Sequence, residues 1–408
     1  LRVVKTMVGG LAGLLAHRGI TVFRANAAFH ADEIAPATSN HIVHLVPSPD
    51  QSDILTYHKA DVPEPSGPTM DLTATNIVIA TGAKPHPLPG NPFAGALIDS
   101  TQALEVNEFP SSAVIIGAGA IALEFASMWN AAGSKVTLLI RKDRVLSAWD
   151  RRAGTTLTRE LKRHGVNIIT RASVTHVDTG ANLGATVHYT REGQDGEQSV
   201  WGEIALVAIG RDPITDPAWG VTIDDHGHVA TDAYGRTDKP GVWAVGDVTA
   251  GHALAHRAFE QGIVIAETIA GLNPKPVDEA TVPQIVFSFP EAASVGLTVE
   301  QAQAREDLIE IKETNYPMLA NARMLMSGTA GSLTIVSGCD AANPDTPRVL
   351  GVHMVSQMAS DIIAEAEQLV GNHVPLADAA RLVHPHPTFS ETLGEALLKA
   401  DGRPLHTR

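Results

Sequence analysis

Six consecutive residues, Gly117-Ala118-Gly119-Ala120-Ile121-Ala122, constrain this chain more than any other feature. They follow the continuous apolar run 113–116 and open a stretch of helical periodicity that ends near 132. A second apolar strand, 135–140, comes next. Strand, glycine turn, helix and strand at this spacing form one parallel crossover unit. Each small residue has a separate job. Gly117 permits the tight turn, Gly119 lets a pyrophosphate come close to the backbone, and Ala122 lets the helix lie near the sheet. The amides and positive dipole end of the new helix then face the phosphates. The pattern therefore predicts a dinucleotide-binding turn, and its strand–helix–strand context makes it specific.

The end of the second strand bears on which dinucleotide is held. An NAD site usually carries an acid there, which binds the ribose 2′-hydroxyl. This chain reads Arg141-Lys142-Asp143-Arg144. Guanidinium groups suit a 2′-phosphate through paired donors and a permanent charge, so the residues favour NADP(H), with NAD still possible. A solvated cationic strand end is the alternative.

The rest of the chain falls into segments around this unit. Residues 1–18 have helical periodicity, which Gly19 should stop. A strand is expected at 20–29, with strand-like pieces to Tyr57, and the acidic, proline-rich stretch 61–68 reads as an exposed hairpin tip or loop. A buried strand at 76–81 ends in Thr81-Gly82. The crossover unit continues through a helix at 152–164, a strand at 167–170 and a hairpin-like insert near 174–200. It closes with a strand at 204–209 that ends in Gly210. Another buried strand, 241–245, ends in Gly246-Asp247 and is followed by a helix at 253–270. From 282 onward, strands near 284–289, 332–337 and 349–355 and helices at 360–370 and 376–382 suggest an α+β domain with an antiparallel sheet.

Three further groups bear on chemistry. Thr81-Gly82 and Gly246-Asp247 each end a strand, where ligands of open α/β sheets sit, and Asp247 is placed to accept from a sugar-like hydroxyl. Either piece alone also fits a packing glycine or a helix cap. Near the C-terminus, His384-Pro-His386-Pro-Thr-Phe-Ser-Glu391 puts a carboxylate five residues after His386, across a turn. Such a carboxylate can orient an imidazole and raise its basicity. A purely structural histidine is the competing reading. No cluster with metal-ligand spacing surrounds these histidines, so no metal site is expected. Cys339 is placed in a hairpin, Ser337-Gly-Cys-Asp340, with nothing basic beside it, and reads as a bystander.

Composition removes other classes. A net charge of -15 gives no basic face for nucleic acid or an anionic membrane. The longest apolar stretch, 114–129, is broken by Glu124, so no membrane span is expected. One cysteine rules out a disulfide framework and fits a reducing cytoplasm. The sequence opens on Leu1 rather than Met and runs directly into helical periodicity, so it is expected to begin inside a domain.

In their order, Ala80-Thr-Gly82, Gly117-Ala-Gly-Ala-Ile-Ala-Leu-Glu124, Ala244-Val-Gly-Asp247 and His386-Pro-Thr-Phe-Ser-Glu391 resemble the flavoprotein pyridine nucleotide-disulfide oxidoreductases. The opening 3–13, residues 283–298 and 351–367, and the ending 395–406 resemble the dihydrolipoamide dehydrogenase branch. The resemblance covers essentially the whole chain. It implies an α/β fold of two Rossmann-like dinucleotide-binding domains plus a C-terminal α+β interface domain. The FAD domain would be 1–110 with a return segment at 236–281, incomplete at its start. The NAD(P) domain would be 111–235 and the dimerisation domain 282–408. It implies FAD beside the nicotinamide, with Thr81, Gly82, Asp247, Leu254, Ala255 and His256 along the flavin. Gly117, Gly119, Ala122, Arg141, Lys142 and Gly210 would line the NAD(P) site. His386 and Glu391 would be the acid/base dyad, serving the disulfide of the other subunit of a homodimer. The substrate would be a small dithiol or disulfide, or a lipoyl protein.

Three departures qualify the resemblance. The family's first glycine-rich FAD turn and its redox cysteines are absent, and are expected upstream of Leu1. Ile140-Arg141 is similar to the NADPH-using glutathione reductases rather than the NAD-using lipoamide enzymes. Ala120 stands where glutathione reductases carry a tyrosine. A glutathione- or mycothione-type reductase and a transhydrogenase therefore stay open. So does, from another class, a non-catalytic NADP(H)-binding dimeric sensor.

Overall fold

The computed structural model describes residues 2–57, 63–180 and 184–407. The chain folds as two compact units, Leu1–Ala83 with Pro213–Val277, and Lys84–Asp212 with Asp278–Arg408.

The first unit opens with helix Arg2–His17. Gly19, at φ +73°, ends it with an amide bonded to the Ala16 carbonyl, the left-handed glycine stop expected from sequence. None of the residues in this helix is buried, and Val4, Met7, Val8 and Leu11 are largely exposed. Three small sheets follow. Val22–Arg24 pairs with Leu55–Tyr57, which pairs with Pro63–Pro65. Asn26–Ile34, His41–Val46 and Met70–Ala74 form a second antiparallel set. Ile77–Ile79 and Val242–Ala244 form a parallel pair. The core gathers Ala31, Ile79, Trp219, Val229, Val242, Ala244 and Val248, with Phe29 stacked on Trp219 at 6.0 Å.

Two readings change here. The strand expected at 20–29 is two strands in different sheets, broken at Ala25. The strand expected to be buried at 76–81 is covered on one side only, since Val78 is 44% exposed while Ile79 is buried. Of the proline-rich stretch, Pro63–Pro65 is a strand of a hairpin, whereas Asp61 and Val62 lie outside the described residues.

The second unit holds a five-stranded parallel sheet in the order Asn167–Thr170, Lys135–Ile140, Ser112–Ile116, Ile204–Val207, Leu97–Ile98. Its strands are near-continuous Val, Ile and Leu, as a sheet covered on both faces requires. Helix Ala120–Ala131 buries Ala122, Leu123, Phe125, Ala126 and Trp129 against it. Helix Arg151–Arg163 starts at Asp150, whose carboxylate accepts from the Ala153 amide. The insert read as a hairpin is a three-stranded antiparallel sheet, Ala172–Asp178, Ala185–Arg191 and Gln198–Gly202.

The C-terminal part of this unit is an antiparallel sheet ordered Gln284–Val286, Glu291–Gly296, Asn343–Ser356, Ser332–Asp340, Leu308–Pro317. Helices Ala359–Gly371 and Glu391–Ala400 pack on it through Ile362, Ile363, Leu369, Leu393 and Leu397. Cys339 is in the expected hairpin, next to the turn between Asp340 and Asn343. It lies inside strand Ser332–Asp340, fully buried, and burial pushes its thiol pKa upward. Among the described residues no helix is long and apolar enough to cross a membrane.

Candidate functional site

The glycine turn after Ser112–Ile116 is forced by contact. Gly117 has φ +141°, and a Cβ there would lie 2.1 Å from the Ala208 carbonyl oxygen. Only glycine fits that backbone and that space. Gly119 is the opposite case. It is the N-cap of helix Ala120–Ala131 at φ -89°, and a Cβ on it would meet nothing within 4 Å. The fold does not require a glycine here, so open space above the helix amides is the reason that remains. Ala122 is fully buried beneath the turn. Its Cβ would lie 3.3 Å from one on Gly117, which is the close helix–strand approach that a small residue permits.

Parallel pairing puts the other expected residues at the same edge. Strands Lys135–Ile140 and Ile204–Val207 flank Ser112–Ile116 in parallel. Arg141, Lys142 and Gly210 therefore lie just beyond the carboxyl ends of its two neighbours, where ligands of such sheets sit. Arg141 and Lys142 are exposed. Arg144, counted with them in the sequence, turns inward, with Nη1 on Asp143 Oδ1 at 3.2 Å and Nη2 on the Ser147 carbonyl at 3.1 Å. Two of the three cations thus remain for an anion. The Leu146 amide reaches the Ala118 carbonyl at 3.0 Å and folds the cationic loop against the glycine turn.

In the first unit a second edge forms. The parallel pair Ile77–Ile79 and Val242–Ala244 brings Thr81-Gly82 and Gly246-Asp247 to one end of a ladder, although 165 positions separate Gly82 from Asp247 in the chain. Gly82 takes φ +70°, and Thr81 Oγ1 donates to the Ile214 carbonyl at 2.7 Å. Asp247 is half-buried in a 3-10 turn, Gly246–Val248. Leu254 caps helix Ala255–Ile269, whose first residues Ala255 and His256 are exposed. The positive dipole end of this helix follows closely after Asp247 in the chain order of the site. The sequence reading missed Arg257. It is buried, and Nη2 donates to the Ala250 carbonyl, clamping the loop between Asp247 and Leu254. No local pattern marks an arginine that will turn inward.

The third group is complete within the second unit. His386 Nδ1 donates to Glu391 Oε2 at 2.8 Å, with His386 75% exposed and Glu391 only 16%. Glu391 is the first residue of helix Glu391–Ala400, where the dipole favours a carboxylate. Its second oxygen accepts from Asn321 Nδ2 at 2.7 Å, and the same nitrogen reaches the Thr388 carbonyl at 3.0 Å. Asn321 is 2% exposed and caps helix Ala322–Ser327 with its oxygen, so all three of these contacts fix its amide. It is a positioning residue that the sequence did not reveal, because it lies 70 residues from its partner. Beneath this helix, burial and then Glu395 and Glu391 push the Tyr316 hydroxyl up to about 12, so it stays protonated.

The neighbouring His384 is a different kind of residue. Its Nε2 pairs with Glu365 Oε1 at 2.9 Å, and its ring lies where a Cβ on Gly394 would sit. The Glu365 hydrogen bond raises its pKa against the opposing effect of burial. It pins a helix, while His386 faces outward.

Residues 3–262 match the family described as pyridine nucleotide-disulphide oxidoreductase, and residues 282–397 match that family's dimerisation domain. The chain is 37% identical over 341 residues to the dihydrolipoyl dehydrogenase of Cupriavidus necator, covering 82% of this chain and 70% of that protein. It is 32% identical over 409 residues to the Geobacillus stearothermophilus dihydrolipoyl dehydrogenase, covering 99% and 79%. Among solved structures it resembles LpdA from Mycobacterium tuberculosis, with TM-score 0.77 and 25% identity over 92% of this chain and 76% of that one. It also resembles the HOCl-induced flavoprotein disulfide reductase RclA from Escherichia coli, with TM-score 0.71 and 26% identity over 81% and 74%.

Proposed function

Because this chain belongs to the pyridine nucleotide-disulphide oxidoreductase family, we propose that it passes electrons between NADP(H), FAD and a dithiol of the lipoamide type, as a cytoplasmic homodimer. In this reading residues 1–110 and 236–281 form the flavin domain, 111–235 the nicotinamide domain and 282–408 the interface domain, except that Leu97–Ile98 joins the nicotinamide sheet and Trp219 and Val229 join the core of the first unit. When bound, the two cofactors supply hydride and electron-pair transfer. The chain's own residues bind, orient and move protons.

Gly119 and the first amides of helix Ala120–Ala131 hold the nicotinamide diphosphate, with Gly117, Ala122 and Gly210 shaping the edge. Arg141 and Lys142 take the 2′-phosphate, a reading that their exposure beside the turn supports. Thr81, Gly82, Asp247, Leu254, Ala255 and His256 line the flavin. The partner subunit's dithiol site is served by His386 and Glu391.

One observation carries the chemistry, namely the 2.8 Å bond from His386 Nδ1 to Glu391. A carboxylate can only accept, so Nδ1 keeps its proton and the lone pair sits on Nε2 of an exposed ring. That nitrogen takes a proton from a substrate thiol; the thiolate would then attack one sulfur of the disulfide of the other subunit, forming a mixed disulfide and expelling the second sulfur as thiolate, so the substrate is oxidised and that disulfide reduced. Buried Cys339 is no candidate for this exchange. The exposed apolar residues just before the dyad in the chain, Leu382 and Val383, support a partner surface.

The test is steady-state turnover of the native holoprotein with dihydrolipoamide, glutathione disulfide and both nicotinamides. Dihydrolipoamide oxidation with NADP+ is expected. Reduction of glutathione disulfide without dihydrolipoamide activity would replace this reading with the glutathione-type one, which the Arg141-Lys142 pair independently favours.

A further inference from the structure

The antiparallel sheet Ala172–Asp178, Ala185–Arg191 and Gln198–Gly202 carries side chains for which the nucleotide and dithiol chemistry has no use. Its inner face is Val187, Tyr189, Val174 and Val200. Its outer face carries His176 directly opposite His188, with Asp178 two residues along. A register shift between Val174 and His176 puts the two histidines opposite each other. Their rings stack at 4.1 Å and 8°. Both Nε2 atoms face Asp178 Oδ2, at 3.1 Å from His188 and 3.9 Å from His176. Both Nδ1 atoms face Glu197, at 3.6 Å and 3.8 Å.

The two ring edges are therefore not equivalent. With both Nδ1–H groups turned toward Glu197, two imidazole lone pairs and a carboxylate converge on the Asp178 edge, and either a proton on Nε2, as in the 3.1 Å bond from His188 to Asp178, or a metal cation satisfies them. We propose that His176, His188 and Asp178 bind a divalent transition ion of the zinc, nickel or copper(II) class, with Glu197 as the carboxylate that orients both imidazoles from behind. Two imidazoles and one carboxylate are the borderline donor set that these ions take, and three ligands leave a position for water. Among the described residues, these three are the group whose donor atoms all lie within 4.8 Å of one another. Liganded zinc would bring them closer, at roughly 2.0–2.2 Å from the metal. The required change is a tilt of two parallel rings that are 47% and 23% exposed. Glu197 stands at ion-pair distance from both Nδ1 atoms, 3.8 and 3.6 Å, with Thr175 Oγ1 also 3.3 Å from His176 Nδ1, and a small approach of its carboxylate would give the usual partner of a metal-bound histidine. Thr175 Oγ1 in turn holds Glu197 Oε1 at 2.7 Å. Histidines twelve positions apart on facing strands carry no sequence signature, which is why the sequence suggested no metal.

The test is calorimetric titration of the full chain with zinc chloride, together with cobalt(II) chloride followed by visible absorption. Wild type should take up one ion per chain, with the intense bands of four-coordinate cobalt. His176→Gln/His188→Gln should lose that equivalent, and the isosteric Asp178→Asn should lose it too if the double variant folds poorly. Glu197→Gln should weaken binding by roughly 10–100-fold. An unchanged stoichiometry and affinity in both Asp178→Asn and the double variant would overturn the site, as would a wild type that binds no ion. Dithiol turnover does not enter this readout, so its failure and the failure of the oxidoreductase assignment are separable.

Discussion

The carboxyl edges of strands Ser112–Ile116 and Val242–Ala244, which we assign to two different nucleotides, are built by contrasting means. The first belongs to a five-stranded parallel sheet, and six consecutive residues supply its turn. Sterics settle its geometry, since Gly117 cannot carry a side chain against Ala208. The flanking helix buries five residues. The second edge belongs to a two-stranded ladder and draws on 77–82 and 242–256. Side-chain clamps hold it, Thr81 on Ile214 and Arg257 on Ala250. Its helix, Ala255–Ile269, buries only Arg257, Val264 and Ile265, and Phe259 is 71% exposed. A site made of neighbours in sequence can be specified by residue size alone. A site assembled across the chain needs polar clamps, and its stability depends on whatever covers it.

The sharpest way to break this contrast is to mutate the two glycines of the first edge. Gly117→Ala puts a Cβ into the Ala208 carbonyl and should cost stability on the order of 3–5 kcal/mol, the scale of severe strain, as read by chemical denaturation. Gly119→Val has open space and an ordinary φ, so it should fold normally yet lose NADPH and NADH alike by equilibrium titration. Bound flavin should survive Gly119→Val, because the second edge lies in the other unit. Equal stability losses in both variants would end the distinction between a fold glycine and a ligand glycine.

A smaller effect sharpens the cofactor assignment. Arg141→Ala should weaken NADPH by about 1.5–3 kcal/mol, the value of a charge-assisted pair, and leave NADH nearly unchanged. A wild type that binds NADH more tightly would reduce Arg141 and Lys142 to a solvated strand end.

The smallest effect separates the two histidines of the C-terminal segment. The pKa of His384 is raised in the folded state by Glu365. Its contribution is thus fully present below the unfolded value of about 6.5 and is lost as pH rises through the folded value. The stability gap between wild type and His384→Gln should be roughly 1 kcal/mol or more near pH 6 and should shrink by pH 8.5. A gap that widened with pH would show that the ring is held neutral.

Much of this was legible because the informative residues are close in sequence. The turn 117–122 and the spacing of His386 to Glu391 pointed to local geometry that the structure contains, and alternating glycine stops and apolar runs marked most of the parallel sheet. Glu291–Gly296 and Leu308–Pro317 escaped, the first because its alanines and serine show no strong strand pattern and the second because its charges mask the alternation. Asn321, Arg257 and the histidine pair on the insert escaped for one reason: each acts on a partner far away in the chain or across strands. Arg144 was misjudged because charge does not report which way a side chain turns.

The central claim is that His386 is an acid/base group for a thiol and does not hold the fold. Its most direct test is His386→Gln in the native holoprotein, assayed in parallel for dithiol turnover and for NADPH-driven reduction of an artificial dye through the flavin. The geometry predicts that dithiol turnover falls by about 10²–10⁴-fold, the usual cost of a lost general base, while dye reduction persists. Equal losses in both assays would contradict it and make His386 structural.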